Sequence, residues 1–187
     1  MSRRWEAMLD VLLSERYGSL VAYATLLTGS REEAQDVVHD ALVSVFRSRA
    51  RFGSLPQAES YVRRAVASRW VDQTRRRASE RSAVRRLSGH APDAGATLEH
   101  GLFGADVVRA LGALPPRTRA CVVLRHVEDL SVRETANVLG ISEGAVKRYV
   151  ADGVGALSAA LGPVVQDEGE PGRVDVLRSG REGRRDG

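Results

Sequence analysis

The chain has 187 residues and a formal net charge of +4, and 43% of its residues are hydrophobic, which is enough to form the core of one domain or two small ones. The net positive charge favours a polyanionic partner. The sequence has no signal peptide and no apolar run long enough to span a membrane, which predicts a cytoplasmic protein without membrane insertion. Lys147 is the only lysine, so the excess of arginine also fits a GC-rich genome, and only the placement of the arginines is informative.

The N-terminal third of the chain predicts two amphipathic helices. The first spans Trp5 to Leu27, with apolar residues at helical spacing, and Gly29 ends it. Ser30 and Glu33 have the spacing of a capping box, which would begin a second helix, REEAQDVVHDALVSVF. The face opposite the apolar face of this helix carries Glu32, Asp36, His39 and Asp40. Acidic residues near the start of a helix commonly do no more than stabilise the helix through its dipole, whose positive end lies there. The residues alone therefore leave the role of this face open.

A strongly basic segment follows. Pro56 begins a third predicted helix, and between Tyr61 and Arg86 nine arginines stand against only Asp72 and Glu80. The aromatic residues interleaved with this charge are Phe52, Tyr61 and Trp70. Arginines that contact phosphates and aromatic rings that stack on unpaired bases together hold single-stranded nucleic acid. The alternative is a solvated helix face with its aromatic side chains in the core, and the length of the positive run favours nucleic-acid contact.

The middle of the chain predicts a flexible linker followed by more helices. Ser79 to Gly101 has no helical periodicity and is rich in Ser, Gly, Ala and Pro. A helix is predicted from Phe103 to Leu114, and Pro115 and Pro116 end it and begin the next, RTRACVVLRHVEDL. Cys121, the only cysteine, lies in an apolar run and is expected to be a buried thiol. The four histidines have no metal-ligand spacing, so no metal site is predicted.

Leu130 to Val150 has the pattern of a DNA-binding helix-turn-helix. Ser131 and Glu134 form a predicted capping box, Gly140 suits the positive φ that ends a helix, and Ser142 is the predicted N-cap of a basic second helix. In such a motif the second helix enters the major groove. A plain helical hairpin is the alternative, and the two caps, the glycine and the basic second helix together favour DNA binding. This last helix is predicted to continue to Leu161, with a disordered tail beyond Gly162.

These stretches together resemble an extracytoplasmic-function sigma factor, the small two-domain kind of bacterial RNA polymerase specificity subunit. AYATLLTGSREEAQDVVHDAL is similar to the opening of that family's second conserved region, and SYVRRAVASRWVDQTRRR is similar to its promoter-melting helix. ALGALPPRTRACVVLRHVEDLSVRETANVLGISEGAVKRYV is similar to its fourth region. The likeness covers about Trp5 to Arg77 and Ala105 to Leu161, in the family's order. It implies an all-α, non-enzymatic protein without cofactors, with domains at 1–78 and 104–161 joined by a linker at 79–103.

The resemblance implies contacts with core RNA polymerase, through its β′ clamp helices and β flap, and with promoter DNA. The clamp helices would be met by Asp36, His39 and Asp40. The minus-ten element would be bound, and its non-template strand held open, by Phe52, Tyr61, Arg63, Arg64, Ser68, Arg69, Arg75, Arg76 and Arg77. The minus-thirty-five element would be bound by Ser142, Glu143, Gly144, Ala145, Lys147 and Arg148, with Arg133 on the flanking backbone. An anti-sigma factor is a common partner in that family, and nothing in the sequence identifies one.

The sequence departs from the family's pattern mainly in the recognition helix. The family usually has G-T-V-K-S-R where this chain has GAVKRY at 144–149, so Ala145 lacks the threonine hydroxyl, and the bulkier pair Arg148-Tyr149 replaces Ser-Arg. Gly153 and Gly155 are predicted to weaken the end of this helix.

The sequence argues against two other functions. A helix-turn-helix repressor or activator would bind duplex DNA by itself, usually as a dimer, and no dimerisation helix is evident. An enzyme acting on nucleic acid would need an acidic metal cluster or a nucleophile–base motif, and the sequence has neither.

Overall fold

The computed structural model of the protein describes residues 8, 10–47, 52–85 and 103–162, and the regular structure in these ranges is entirely helical. The all-α prediction is therefore confirmed. The α-helices of the described ranges are α1 (Tyr17–Thr28), α2 (Arg31–Arg47), α3 (Leu55–Arg85), α4 (Ala105–Gly112), α5 (Pro116–His126), α6 (Val132–Leu139) and α7 (Glu143–Leu161), and a π-helical turn, Leu12–Arg16, precedes α1. None of the described helices is both long and apolar enough to cross a membrane.

The connection between α1 and α2 differs in one detail from the predicted capping box. Gly29 adopts the left-handed conformation at φ 78°, and its N–H donates to the Thr25 carbonyl, which ends α1 as expected. The Glu33 N–H donates to Ser30 Oγ at 3.5 Å, so the first half of the box forms. The second half of the prediction is wrong, because the Glu33 carboxylate pairs with Arg77 and the Ser30 N–H donates to Thr28 Oγ1 at 3.2 Å.

Helix α3 is longer than the sequence pattern suggested. It begins at Leu55, one residue before Pro56, and continues to Arg85, so residues 79–85 of the expected linker are helical. These seven residues contain neither glycine nor proline, and a helix that is already formed can propagate through them. Most of the expected linker and the tail beyond Gly162 lie outside the described residues.

Helix α5 is shorter than predicted, ending at His126 rather than at Leu130. Asp129 takes a positive φ of 54°, a conformation that no helix continues through. The Arg125 guanidinium donates to the Leu130 carbonyl and so fixes the chain where it turns towards α6. Cys121 is fully buried in α5, as predicted, and burial raises the pKa of its thiol to about 11.

The N-terminal half (α1–α3) and the C-terminal half (α4–α7) share one hydrophobic core. A single cluster of buried side chains includes Leu27 and Val66 from the first half and Leu111 and Val123 from the second. A smaller cluster joins Cys121 of α5 to Ala136 of α6 and Val146 of α7. In the described residues the two halves are therefore packed against each other, and α1 and α3 contact helices of the C-terminal half.

Candidate nucleic-acid interface

The helix-turn-helix at α6 and α7 is fixed by contacts within the motif. The Ser131 hydroxyl accepts from the Glu134 N–H at 3.2 Å, and the Glu134 carboxylate accepts from the Ser131 N–H at 2.9 Å, so the predicted capping box is complete. The Ser131 hydroxyl also donates to Glu134 Oε2 at 2.8 Å, and the hydrogen bonds that the carboxylate accepts from the Ser131 N–H and hydroxyl lower the pKa of Glu134. Gly140 ends α6 in the left-handed conformation at φ 61°, and Ser142 Oγ accepts from the Ala145 N–H at 3.2 Å to begin α7.

The first turns of α7 present the predicted base-reading residues to solvent. Val146 is buried and anchors the helix, whereas Ala145 and Tyr149 are half-buried. The guanidinium of Arg148 lies 5.2 Å from the ring centroid of Tyr149, a cation–π contact that holds the arginine beside the helix. The exposed members of the predicted set are Ser142, Glu143, Gly144, Lys147 and Arg148, together with Arg133 on α6. Within this set Glu143 is the only acid, so Arg133, Lys147 and Arg148 make the surface positively charged.

The far end of α3 carries a second basic surface. Arg75, Arg76 and Arg77 are exposed there, and Arg77 pairs with Glu33 of α2. Ser68 and Arg69, closer to the middle of the helix, are half-buried. The guanidinium groups of Arg75 and Arg76 can meet phosphates without first leaving a buried site, whereas Arg77 would first have to leave Glu33.

Arg63 and Arg64, nearer the start of α3, are engaged by carboxylates. Arg63 Nη2 lies 2.6 Å from Glu59 Oε1 in its own helix, and its Nη1 lies 2.9 Å from Glu128 Oε1 in the C-terminal half. Arg64 Nη2 lies 4.0 Å from Glu134 Oε1, also in the C-terminal half. Burial alone would lower the pKa of Arg63, but its hydrogen bond with Glu128 and the charges of Glu128 and Glu59 raise it.

The three aromatic residues of the basic segment divide into two kinds. Tyr61 is 44% exposed and its ring centroid lies 5.2 Å from that of the half-buried Phe52, so this pair could stack on a base. Trp70 is only 3% exposed, so the suggestion that its face is open to an unpaired base is wrong. Its ring packs into the core and is covered by the guanidinium of Arg119 at 5.2 Å.

The predicted polymerase-docking residues lie together on one exposed face of α2. Asp36, His39 and Asp40 are all exposed, because they alternate with the buried residues Val37 and Val38 around the helix. Asp40 Oδ2 accepts from Gln73 Nε2 of α3 at 3.1 Å, which sets its orientation. In the described part of the chain no three His, Cys, Asp or Glu side chains are arranged to hold a metal ion.

Arg119 is the residue that sequence reasoning missed. It is only 8% exposed, and its Nη1 donates to the Leu27 carbonyl of α1 at 2.5 Å. Its Nη2 donates to the Gly112 and Leu114 carbonyls in the C-terminal half. Burial lowers the pKa of Arg119 to about 10. Arg119 lies two positions after the exposed Arg117, and no local feature of the sequence distinguishes the buried arginine from the exposed one.

Two family models match the chain, and both describe parts of one family. The model described as "Sigma-70 region 2" matches residues 12–80, and the model described as "Sigma-70, region 4" matches residues 105–157. These ranges coincide with the N-terminal half and with most of the C-terminal half.

Known proteins agree with this match. The chain is 30% identical over 153 residues to the ECF RNA polymerase sigma factor SigM of Mycobacterium tuberculosis, covering 82% of this chain and 76% of the relative. It is 32% identical over 132 residues to the RNA polymerase sigma-E factor of Streptomyces coelicolor, covering 71% and 73%. The fold is similar, with a TM-score of 0.58 and 20% identity, to that of the sigma factor RpoE of Bartonella quintana, solved in complex with the anti-sigma factor NepR, covering 86% of this chain and 98% of that one.

Proposed function

Because the chain belongs to the extracytoplasmic-function group of the sigma-70 family, we propose that it directs core RNA polymerase to promoters as a dissociable, non-catalytic subunit working in the cytoplasm. In this function α7 binds the minus-thirty-five element as duplex, and α3 with the Phe52–Tyr61 pair binds the minus-ten element and helps to melt it. The acidic face of α2 docks on the β′ clamp helices, and the C-terminal half meets the β flap.

One observation carries this proposal. A single chain combines a fully capped helix-turn-helix, an arginine-rich helix with an exposed aromatic pair, and an exposed acidic face on the neighbouring helix. A repressor needs only the first of these features. Melting also needs the second, because an extruded base costs a few kcal/mol that stacking and phosphate contacts must offset.

The physical roles within α7 follow from chemistry and position. Glu143, at the start of the helix, can accept from a cytosine N4 amino group, and Arg148 can donate to guanine or to a phosphate. Lys147 is a point charge suited to a phosphate. Ala145, half-buried and without a hydroxyl, offers only an apolar contact, so the promoter sequence preferred by this chain should differ at the base that a threonine would meet.

The experiment is run-off transcription with purified core polymerase on a pool of upstream DNA from the source genome. We expect specific transcripts that depend on the full-length protein. The paired variant Asp36→Lys/Asp40→Lys should lose most core binding while the affinity for minus-thirty-five duplex is unchanged. The control is Asp10→Lys/Glu15→Lys, which reverses two exposed charges elsewhere in the N-terminal half. Failure of the wild-type protein to bind core would refute the proposal, as would tight binding to paired half-sites by a dimer without core.

A further inference from the structure

Arg148 and Tyr149 form a pair on α7. The Tyr149 ring is half-buried and packs against the smaller cluster around Val146, so the core of the helix-turn-helix fixes its position. The exposed guanidinium of Arg148 lies 5.2 Å from the centroid of that ring. In the described part of the chain Arg148 forms no ion pair, whereas carboxylates engage Arg63 and Arg77. An aromatic ring anchored in the core therefore orients this arginine, whose N–H donors remain available to an acceptor.

The pair lies next to a stretch of α7 that carries no long side chain. Gly144 and Ala145 precede Arg148 by four and three positions, and helical side chains lean towards the preceding turn, so Arg148 extends over both. A Cβ at Gly144 would have no heavy atom within 4 Å, which leaves this surface open. The buried Val146 lies on the opposite side of the helix. The guanidinium is thereby directed towards the first turns of α7, the part of such a helix that meets base edges.

A guanidinium held in one orientation suits a base edge better than a phosphate. A flexible point charge, such as that of the exposed Lys147, is sufficient for a phosphate. Guanine presents its O6 and N7 acceptors side by side in the major groove, and one guanidinium can donate to both at once. This bidentate contact requires a defined orientation of the guanidinium. Fixing that orientation before DNA is bound reduces the side-chain entropy that binding would otherwise cost.

We propose that Tyr149 is a positioning residue that holds Arg148 above Ala145, where the arginine reads one guanine of the minus-thirty-five element. Ala145 offers no hydrogen bond of its own, so Arg148 is the donor to the base edge beside it. The proposal rests on the proposed function in placing α7 in the major groove. It goes further by choosing guanine over phosphate for Arg148 and by assigning a role to Tyr149.

The test measures base preference in the upstream element with holoenzyme reconstituted from core polymerase and the full chain. Bound duplexes are selected from a pool randomised in that element and sequenced, and single-base variants of the selected duplex are then compared by fluorescence anisotropy. Tyr149→Leu removes the ring and keeps an apolar side chain against the core, and Tyr149→Phe, which keeps the ring, is its matched control. Arg148→Ala removes the guanidinium from an exposed site, with Lys147→Ala as the matched loss of a neighbouring exposed charge.

We expect the wild-type holoenzyme to prefer guanine by about tenfold or more at one position of the element. Arg148→Ala should abolish that preference and leave the preferences at other positions unchanged. Tyr149→Leu should reduce it by about two- to fivefold at the same position, the magnitude typical of an exposed cation–π contact, and Tyr149→Phe should retain it. In an Arg148→Ala background, Tyr149→Leu should change the preference no further. Lys147→Ala should weaken binding to all sequences alike, with a shallower salt dependence.

Two results would overturn the proposal while the proposed function stands. The first is an Arg148→Ala holoenzyme that keeps every base preference or weakens uniformly as Lys147→Ala does, since a uniform loss indicates a phosphate contact. The second is an equal loss of affinity for all duplexes in Tyr149→Leu, which indicates a purely structural role for the ring. If Tyr149→Leu reduces the helical circular dichroism signal, Tyr149→Met, whose flexible side chain adapts to the same space, takes its place. A wild-type holoenzyme without any upstream base preference would refute the proposed function and this assignment together.

Discussion

Gly153 and Gly155 lie two residues apart in α7, and replacing Gly155 with alanine should stabilise the protein, whereas the same replacement at Gly153 should not. A Cβ at Gly153 would lie 2.5 Å from Val122 Cγ2 and 3.0 Å from Thr118 Cγ2, both in α5. A Cβ at Gly155 would have no heavy atom within 4 Å. Gly153 is thus the point where α7 and α5 approach closely, and Gly155 is an exposed helical position.

The magnitudes follow from two opposing terms. Alanine gains about 1 kcal/mol over glycine in a helix interior, and this gain applies at both positions. At Gly153 the new methyl group overpacks the contact with α5, which typically costs about 1–3 kcal/mol. We therefore expect Gly155→Ala to raise the free energy of unfolding by up to about 1 kcal/mol. Gly153→Ala should be neutral or should lower it by up to about 2 kcal/mol, once the helix gain is subtracted.

Urea denaturation followed by circular dichroism measures both values on the full chain. Because the two variants share the same change in helix propensity and in the unfolded state, their difference isolates the contact with Val122 and Thr118. Equal stabilisation of the protein by both variants would refute the close approach of α5 and α7. A second check is the double variant Gly153→Ala/Val122→Ala, in which the shortened Val122 side chain should relieve much of the overpacking.

Three further outcomes follow from the site. Burial lowers the pKa of His126 below its usual 6.5, and the charge of Arg125 lowers it further. As the pH falls, His126 is therefore protonated in the unfolded chain before it is protonated in the folded chain. The free energy of unfolding should therefore fall as the pH drops below about 6.5. Urea midpoints measured at several pH values should depend less steeply on pH in His126→Gln than in the wild-type protein. The same pH dependence in both proteins would contradict this. Arg119→Met leaves three carbonyls from both halves unpaired and should cost about 3 kcal/mol or more in thermal or urea unfolding, with a cost below 1 kcal/mol counting against its role. Ser142→Ala removes the N-cap of α7 and should cost about 1 kcal/mol, with weaker minus-thirty-five duplex binding in anisotropy measurements; intact stability would show that the cap is redundant.

The helix-turn-helix was predictable almost residue by residue because its determinants are local. The box between Ser131 and Glu134, the turn at Gly140 and the cap at Ser142 each depend on side chains within four positions of one another. The exposed face of α2 was predictable for the same reason, since helical periodicity alone decides which residues alternate with Val37 and Val38.

The errors arose where a distant partner decided the outcome. The Glu33 carboxylate does not complete the predicted capping box, because it pairs with Arg77, forty-four positions away in the sequence. Trp70 belongs to the core that the two halves share, and Arg119 of the other half covers its ring, a pairing that no local pattern encodes. Gly153 and Gly155 of α7 looked alike in the sequence, and only the position of α5 distinguishes them. The family resemblance supplied the proposed roles of these surfaces, but it did not supply the contacts between them.

The internal bracing of the helix-turn-helix has a thermodynamic consequence for DNA binding. The helix caps, the turn at Gly140 and the small core around Val146 are already formed in the free chain. Little conformational entropy is then lost when α7 enters a groove, and the heat-capacity change should be that of a rigid body meeting DNA rather than of a segment that folds on it. The upstream contact can accordingly form at a rate limited by orientation and electrostatic steering, with no folding step to wait for.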